Sequence, residues 1–284
     1  MAFIRTSRGC PFNCIFCMIG GQKNQLVGYG HQWRAYSAKR ALDEIKWLVT
    51  KLGVKEIVLF DPEFTIDKER VIDICRGIIN EKLDVIWTCQ ARVDKVNQEM
   101  LAWMKKAGCY GISYGLETIT PNVLKIIKRG VNKEVAESTI KNTINAGIQC
   151  GINFMVGLPG ETPQTFKENI KFAKYLARKY GVRPQCIIAT PYPGTVFRDI
   201  VESNKWLIGD IDQLEQTTPS ISYPNFTAEQ IEKLHKQFYK EVVLDPIRLI
   251  KRIFRIRHLN EFRNALIYAK SFATNIFGKM RYVR

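Results

Sequence analysis

Several familiar signals are missing from this chain of 284 residues. No run of 18 apolar residues occurs, so no transmembrane helix is expected. The opening, Met-Ala-Phe-Ile-Arg-Thr-Ser-Arg, has far too short an apolar stretch for a secretory signal peptide. Acidic residues are few: 27 Asp and Glu stand against 43 Lys and Arg, a formal charge of +16. Such a surplus favours anionic partners (nucleic acid, acidic lipid surfaces, phosphorylated substrates), and its sign alone does not choose among them. Neither a GxxxxGK[ST] phosphate loop nor a GxGxxG dinucleotide fingerprint appears, which removes those two readings. Internal repeats and low-complexity segments are also absent. With 46% hydrophobic residues the chain can bury a substantial core, so disorder is excluded.

Cysteine is what the sequence does have. Eight cysteines without an export signal argue for reduced thiols in a cytoplasm rather than for disulfides. Cys75, Cys89, Cys109, Cys150 and Cys186 are scattered, mostly through apolar strand-like runs, and read as buried structural thiols. Cys10, Cys14 and Cys17 instead share one run, Arg8-Gly-Cys-Pro-Phe-Asn-Cys-Ile-Phe-Cys17, just after a short apolar strand. Thiolates are the protein ligands of iron–sulfur clusters, and three of them leave one iron of a cubane open to a small molecule. A structural zinc site needs a closed set of four ligands. Here the next cysteine is Cys75, and His31 lies at an unusual spacing.

Hydrophobic periodicity alternates short strands with longer helices. Strands are expected at Ala2–Thr6, Val54–Phe60, Val85–Cys89, Tyr110–Gly115, Gly151–Val156 and Gln185–Ala189. Helices are expected at Ser37–Leu52, Asp67–Lys82, Asn97–Ala107, Thr120–Asn145 (broken at Gly130) and from about Pro163 to Tyr180. Gly53, Gly108 and Gly147 supply stops, and Asp67 supplies an N-cap. That rhythm implies βα units on a parallel sheet, so the fold class is α/β. It occupies residues 1–200, and residues 201–284 read as a helical C-terminal extension, basic and amphipathic.

The CxxxCxxC run, with Phe16 immediately before its last cysteine, closely resembles the signature of the radical S-adenosylmethionine (SAM) superfamily. The resemblance extends over about residues 2–200. It implies a partial (βα)6 TIM-like barrel and a [4Fe–4S] cluster held by Cys10, Cys14 and Cys17, whose open iron takes the amino and carboxylate groups of SAM. Ligand sites of parallel barrels lie at the carboxyl ends of the strands, and the resemblance assigns roles there. Asp61 and Glu63, in Phe60-Asp-Pro-Glu-Phe-Thr65, stand where relatives receive the SAM ammonium, although Gly-Gly-Glu is not kept. Gly20-Gly21, beside the cysteines, is not that element. Arg92 is suited to fork onto the SAM carboxylate, and Glu117 to accept the ribose hydroxyls. Gly151-Ile-Asn-Phe-Met-Val-Gly-Leu-Pro-Gly-Glu161 is similar to a GxIxGxxE pattern, in which Gly157 lets adenine approach the backbone. Thr190-Pro-Tyr-Pro-Gly-Thr195 matches a loop of the cobalamin-associated branch, with Tyr192 and Thr195 facing the cavity.

The implied chemistry is one-electron reductive cleavage of SAM, giving methionine and a 5′-deoxyadenosyl radical that abstracts hydrogen from a substrate. It calls for an electron donor such as flavodoxin or ferredoxin. The substrate is a small molecule, lipid-like or cyclic, that the sequence does not name. Cobalamin is expected only through a separate subunit or a missing domain, because the chain starts at its first strand. The last forty residues, Asp245 to Arg284, hold ten Lys and Arg against two acids. In Pro246–Arg257 the basic residues Arg248, Lys251, Arg252 and Arg255 share one arc, opposite Ile247, Leu249, Ile250, Ile253, Phe254 and Ile256. Phe262–Phe277 carries a second apolar face. These helices are expected to pack on the barrel; the alternative is peripheral membrane contact. A tRNA-modifying enzyme of the same superfamily and a metal-stabilised binding protein without turnover are the rival functions. Nucleic acid is disfavoured because nothing resembles an RNA-binding module.

Overall fold

The structure is a computed structural model that describes residues 1–19, 33–209 and 214–248. Strand β1 (Ala2–Ile4) leads to the two-residue β2 (Ser7–Arg8), which pairs antiparallel with β3 (Arg34–Ala35). Five more strands follow: β4 (Glu56–Leu59), β5 (Ile86–Arg92), β6 (Cys109–Glu117), β7 (Gln149–Val156) and β8 (Arg183–Ile188). With β1 they form one six-stranded sheet in the order β1-β4-β5-β6-β7-β8, every pair parallel. Because β1 and β8 do not pair, the sheet is an open partial barrel of the expected α/β class.

Helices connect the strands and carry the stop and start signals read from the sequence. In α1 (Ala38–Leu52), Ser37 caps the Arg40 amide at 3.2 Å and Gly53 ends the helix at φ 64°. Asp67 caps α2 (Lys68–Asn80), and Asn97 caps α3 (Gln98–Lys106). The expected helix broken at Gly130 is two helices, α4 (Pro121–Ile126) and α5 (Lys133–Asn145). Next come α6 (Pro163–Tyr180), α7 (Val196–Ser203) and α8 (Ala228–Phe238), the last continued by a π-turn over Tyr239–Val243. Gly108 is obligatory in the turn before β6: its φ is +89°, and a Cβ there would fall 2.3 Å from the Val85 carbonyl oxygen.

The pleat divides the sheet into two unlike faces. Towards the helices point Ile57, Leu59, Trp87, Tyr114, Phe154 and Ile188, all buried, each stabilising the fold by about 1.5–3 kcal/mol. Trp87 also donates its indole N–H to the Ala107 carbonyl at 2.8 Å, so its polar edge is satisfied. The inward face is open: Phe3 and Phe60 are 64% and 48% exposed, and Gln90, Ser113, Asn153 and Gln185 lie half-buried or exposed. Residues beyond 200 join the same core, with Ile221, Phe226, Ile231, Leu234 and Phe238 in its apolar cluster. Phe238 meets Phe154 of β7 at a centroid distance of 5.6 Å. No helix among the described residues is long and apolar enough to cross a membrane. The amphipathic tail from Leu249 onward, His31 and Gly20-Gly21 lie outside the described residues.

Candidate functional site

The cysteine loop is fastened before, within and behind. Before it, Asp61 accepts from the Thr6 amide (2.8 Å), the Thr6 hydroxyl (2.9 Å), the Ser7 hydroxyl (2.8 Å) and the Ser7 amide. Arg70 adds a second clasp, donating to the Thr6 hydroxyl at 2.6 Å and to the Tyr36 carbonyl at 2.8 Å. In mid-loop the buried Ile15 donates its amide to the Ile127 carbonyl (3.4 Å) and accepts from the Phe197 amide (3.0 Å). These bonds tie the loop to the end of α4 and to the start of α7. Cys17 donates its amide to the Cys14 carbonyl at 3.1 Å, and its sulfur accepts the Ile19 amide at 3.4 Å. Cys14 is buried, Cys10 and Cys17 are half-buried, and all eight cysteines are free thiols. Phe16 packs half-buried against the apolar core.

Two guanidinium groups converge on Cys14. Arg92 ends β5 and holds Asp94 with a fork at 2.9 and 3.0 Å; its plane lies 3.8 Å over the Phe12 ring, and its Nη1 is 3.9 Å from Cys14 Sγ. Arg129, between α4 and α5, sets its Nη1 3.6 Å from the same sulfur. Its Nη2 donates to the Gly115 carbonyl and stands 3.7 Å from Glu117 Oε1, while its buried Nε has no partner among the described residues. Burial pushes the Cys14 thiol up, and the two arginines oppose that rise. Burial also raises Cys10, to about 11.

Glu117 closes β6 at a bulge, with φ +67° in the left-handed region that non-glycine residues rarely adopt. A Cβ at Gly115 would sit 2.5 Å from Glu117 Oε1, so glycine is what admits the carboxylate here. Burial raises the Glu117 pKa, against the pull of Arg129 and Arg92. Glu63 is likewise buried and raised, with Oε1 taken by the Thr65 amide (3.1 Å) and hydroxyl (2.6 Å).

At the end of β7, Gly157 turns at φ +86°. Its amide donates to Glu161 Oε2 at 2.8 Å, and its carbonyl accepts the Tyr223 hydroxyl at 2.8 Å. The other Glu161 oxygen takes the Asn169 amide at 3.2 Å, and Asn169 in turn bonds Thr118 (3.0 Å) and the Ile119 amide (2.8 Å). The ends of β6 and β7 are thereby locked together. Burial lifts the Glu161 pKa to about 8.

The structure therefore gathers Cys14, Arg92 and Glu117 around Arg129. Several expected ligand contacts have other work. Both Asp61 oxygens are engaged by Thr6 and Ser7, and the Arg92 fork is engaged by Asp94. Thr195 is expected to face the cavity; instead it is buried, donating to the Tyr192 carbonyl (2.7 Å) and capping α7 at Arg198 (3.1 Å). Tyr192 is half-buried and bonds through its backbone. Arg129 is the residue the sequence reading missed. Its only sequence sign is a place just before Gly130, and nothing in spacing shows it returning to Cys14.

Among the described residues no three His, Cys, Asp or Glu side chains surround a single-ion position. The donor set nonetheless suits a larger group. In a cubane each thiolate binds a different iron, so the sulfurs stand farther apart than ligands about one zinc. Three free thiols on one pinned loop, two cations on one sulfur and an unpartnered buried guanidinium N–H fit an anionic cluster and an anionic ligand beside it.

Comparison with known proteins gives the family and the fold. The family model described as the radical SAM superfamily matches residues 4–173. An uncharacterized methyltransferase of Pyrococcus horikoshii is 37% identical over 253 residues, covering 88% of this chain and 53% of the relative. The anaerobic magnesium-protoporphyrin IX monomethyl ester cyclase of Rubrivivax gelatinosus is 30% identical over 170 residues, 59% of this chain and 29% of that protein. The chain thus spans about half, or less, of the length of these relatives. Among solved structures, the cobalamin-dependent SAM radical enzyme OxsB superposes with a TM-score of 0.68 at 17% identity, over 95% of this chain and 45% of the other. The methyltransferase TsrM of Kitasatospora setae gives 0.62 at 18% identity, over 74% and 41%. At those identities the superpositions establish the fold.

Proposed function

We propose a function on one established premise: the chain belongs to the radical SAM superfamily. It is the catalytic barrel of an enzyme that cleaves SAM reductively and abstracts hydrogen from a lipid-like or cyclic substrate. The observation that carries this reading is the convergence of Arg92, Arg129 and Glu117 on the Cys14 side of a pinned three-cysteine loop, at the carboxyl ends of parallel strands.

Cys10, Cys14 and Cys17 hold a [4Fe–4S] cluster, and the cations on Cys14 favour the thiolate that ligation requires. When bound, the cluster and SAM supply a one-electron cleavage yielding a 5′-deoxyadenosyl radical. The chain positions and shields that chemistry. Arg129, with its Nε unpartnered, is the donor for the SAM carboxylate, because the Arg92 fork is occupied by Asp94. Glu117 accepts the ribose hydroxyls, Glu63 faces the ammonium, and the turn at Gly157, fixed by Glu161, backs the adenine.

The open inward face receives the substrate. Phe3, Val58 and Phe60 line it on one side, and the amides Gln90, Asn153 and Gln185 on the other. A flat molecule with apolar faces and uncharged polar edges suits that pairing. The names of relatives supply support: one acts on magnesium-protoporphyrin IX monomethyl ester, and another is a bacteriochlorophyllide d methyltransferase. Methyl transfer is the second reading, favoured by the methyltransferase relative and the cobalamin-bound neighbours. It requires cobalamin from a separate subunit or from a domain outside these residues.

The test is anaerobic reconstitution followed by SAM cleavage with dithionite. The wild type is expected to release methionine and 5′-deoxyadenosine, and Cys14→Ala to release neither. An equally active Cys14→Ala would reject the assignment.

A further inference from the structure

We propose that the exposed cations encircling the cysteine loop form the docking face for an acidic one-electron carrier protein, an inference that rests on the iron–sulfur reading above. Three elements bring positive charge to the loop. At its start, Arg8 lies directly opposite Arg34 in the β2–β3 ladder, and both are exposed. Like charges directly across a ladder are destabilising, and a ladder of two residues per strand offers little to offset them. At Phe12 the exposed Lys95 places its ammonium 5.6 Å from the ring centroid. Beside Ile15, the end of α4 carries exposed Lys125 and Lys128 on either side of the Ile127 carbonyl that holds the loop.

None of these five cations forms an ion pair among the described residues. The acids that reach the loop are withdrawn from solvent or already bound. Glu63 and Glu117 are buried, and Asp94 is clasped by Arg92. The cations on these three elements are accompanied by exposed apolar residues directly after the last cysteine, Met18 at 50% and Ile19 at 38%. Exposed apolar residues together with basic ones are the composition of a protein interface rather than of a small-anion site. Complementarity makes the partner acidic, and small, electrostatically steered contacts are what transient redox partners use. The electron balance is simple: the carrier is oxidised by one electron and the cluster is reduced by one. No bond or proton changes hands. Half-buried Cys10 and Cys17 place the ligand loop itself at this face, so the electron has a short path.

The probe is reduced flavodoxin, compared with dithionite as a small reductant. Two double variants are made in the reconstituted holoenzyme, Arg8→Glu with Arg34→Glu and Lys125→Glu with Lys128→Glu. Lys171→Glu, on the outer wall at α6, serves as the control. Each double variant is expected to lower the flavodoxin-driven rate of SAM cleavage about tenfold and to flatten its salt dependence. Its dithionite-driven rate should stay within about twofold of wild type, and the control should match wild type with both reductants. Equal rates with flavodoxin, or equal losses with both reductants, would overturn the proposal. Flavodoxin binding is also titrated directly by fluorescence anisotropy, with no turnover required. There the double variants should raise Kd about tenfold, and an unchanged Kd overturns the docking face. A wild type that fails with dithionite but binds flavodoxin in this charge-dependent way would sink the iron–sulfur function and leave the docking surface standing.

Discussion

Asp61, after β4, and Glu117, at the end of β6, are both buried carboxylates on the rim of one sheet, 1% and 8% exposed. Their surroundings differ. Asp61 accepts four hydrogen bonds from Thr6 and Ser7, so its charge is solvated by the chain itself. Glu117 has Arg129 at 3.7 Å and a strained backbone, and burial raises its pKa. A carboxylate saturated by its own chain is a structural fastener, here of the cysteine loop. One held in an unfavourable φ and left short of donors is poised for a ligand that supplies them. The same contrast separates the two arginines, with the Arg92 fork filled and the Arg129 Nε open.

Substitutions can break this comparison. The largest effect is expected from Asp61→Ala, which strands buried donors of Thr6 and Ser7 and should cost about 3 kcal/mol in denaturant unfolding. An unchanged midpoint would remove the fastener role. Next is Glu161, which sharpens the comparison from the β7 side. Its pKa, about 8 in the fold, exceeds the ordinary 4.5. The fold therefore prefers the neutral acid, whose stabilisation is complete below about pH 4.5 and is lost as pH rises through 8. Glu161→Gln should remove that slope, on the order of 1.4 kcal/mol per pH unit within the window. Glu63 and Glu117 slope in the same direction but remain in the variant, so the difference curve isolates Glu161. Smallest in stability is Glu117→Gln, expected to leave unfolding nearly unchanged while weakening SAM binding about tenfold in equilibrium dialysis. A stability loss matching that of Asp61→Ala would erase the distinction between the two carboxylates.

The fold was legible because alternating periods and caps are local. Six expected strands meet six in the sheet, and Ser37, Asp67 and Asn97 cap the helices they precede. Strand ends were less legible. A strand buried on both faces is expected to stop where polar residues begin, so Gln90 and Arg92 read as loop. In fact β5 runs on to Arg92, and β6 to Glu117, because one face opens on a lumen that tolerates polar side chains. Within the site, the cysteine spacing pointed to the loop, but hydrogen-bond allocation is a tertiary property. Nothing local shows that Asp61 is consumed by Thr6 and Ser7, 55 and 54 residues away, or that Arg129 crosses from the end of α4 to Cys14.

Electron paramagnetic resonance of the anaerobically reconstituted, dithionite-reduced protein, recorded with and without SAM, tests the central claim most directly. The account predicts about four irons and four sulfides per chain and a reduced-cluster spectrum that changes on adding SAM. About one zinc without sulfide, or a cluster signal that SAM leaves unmoved, would contradict it.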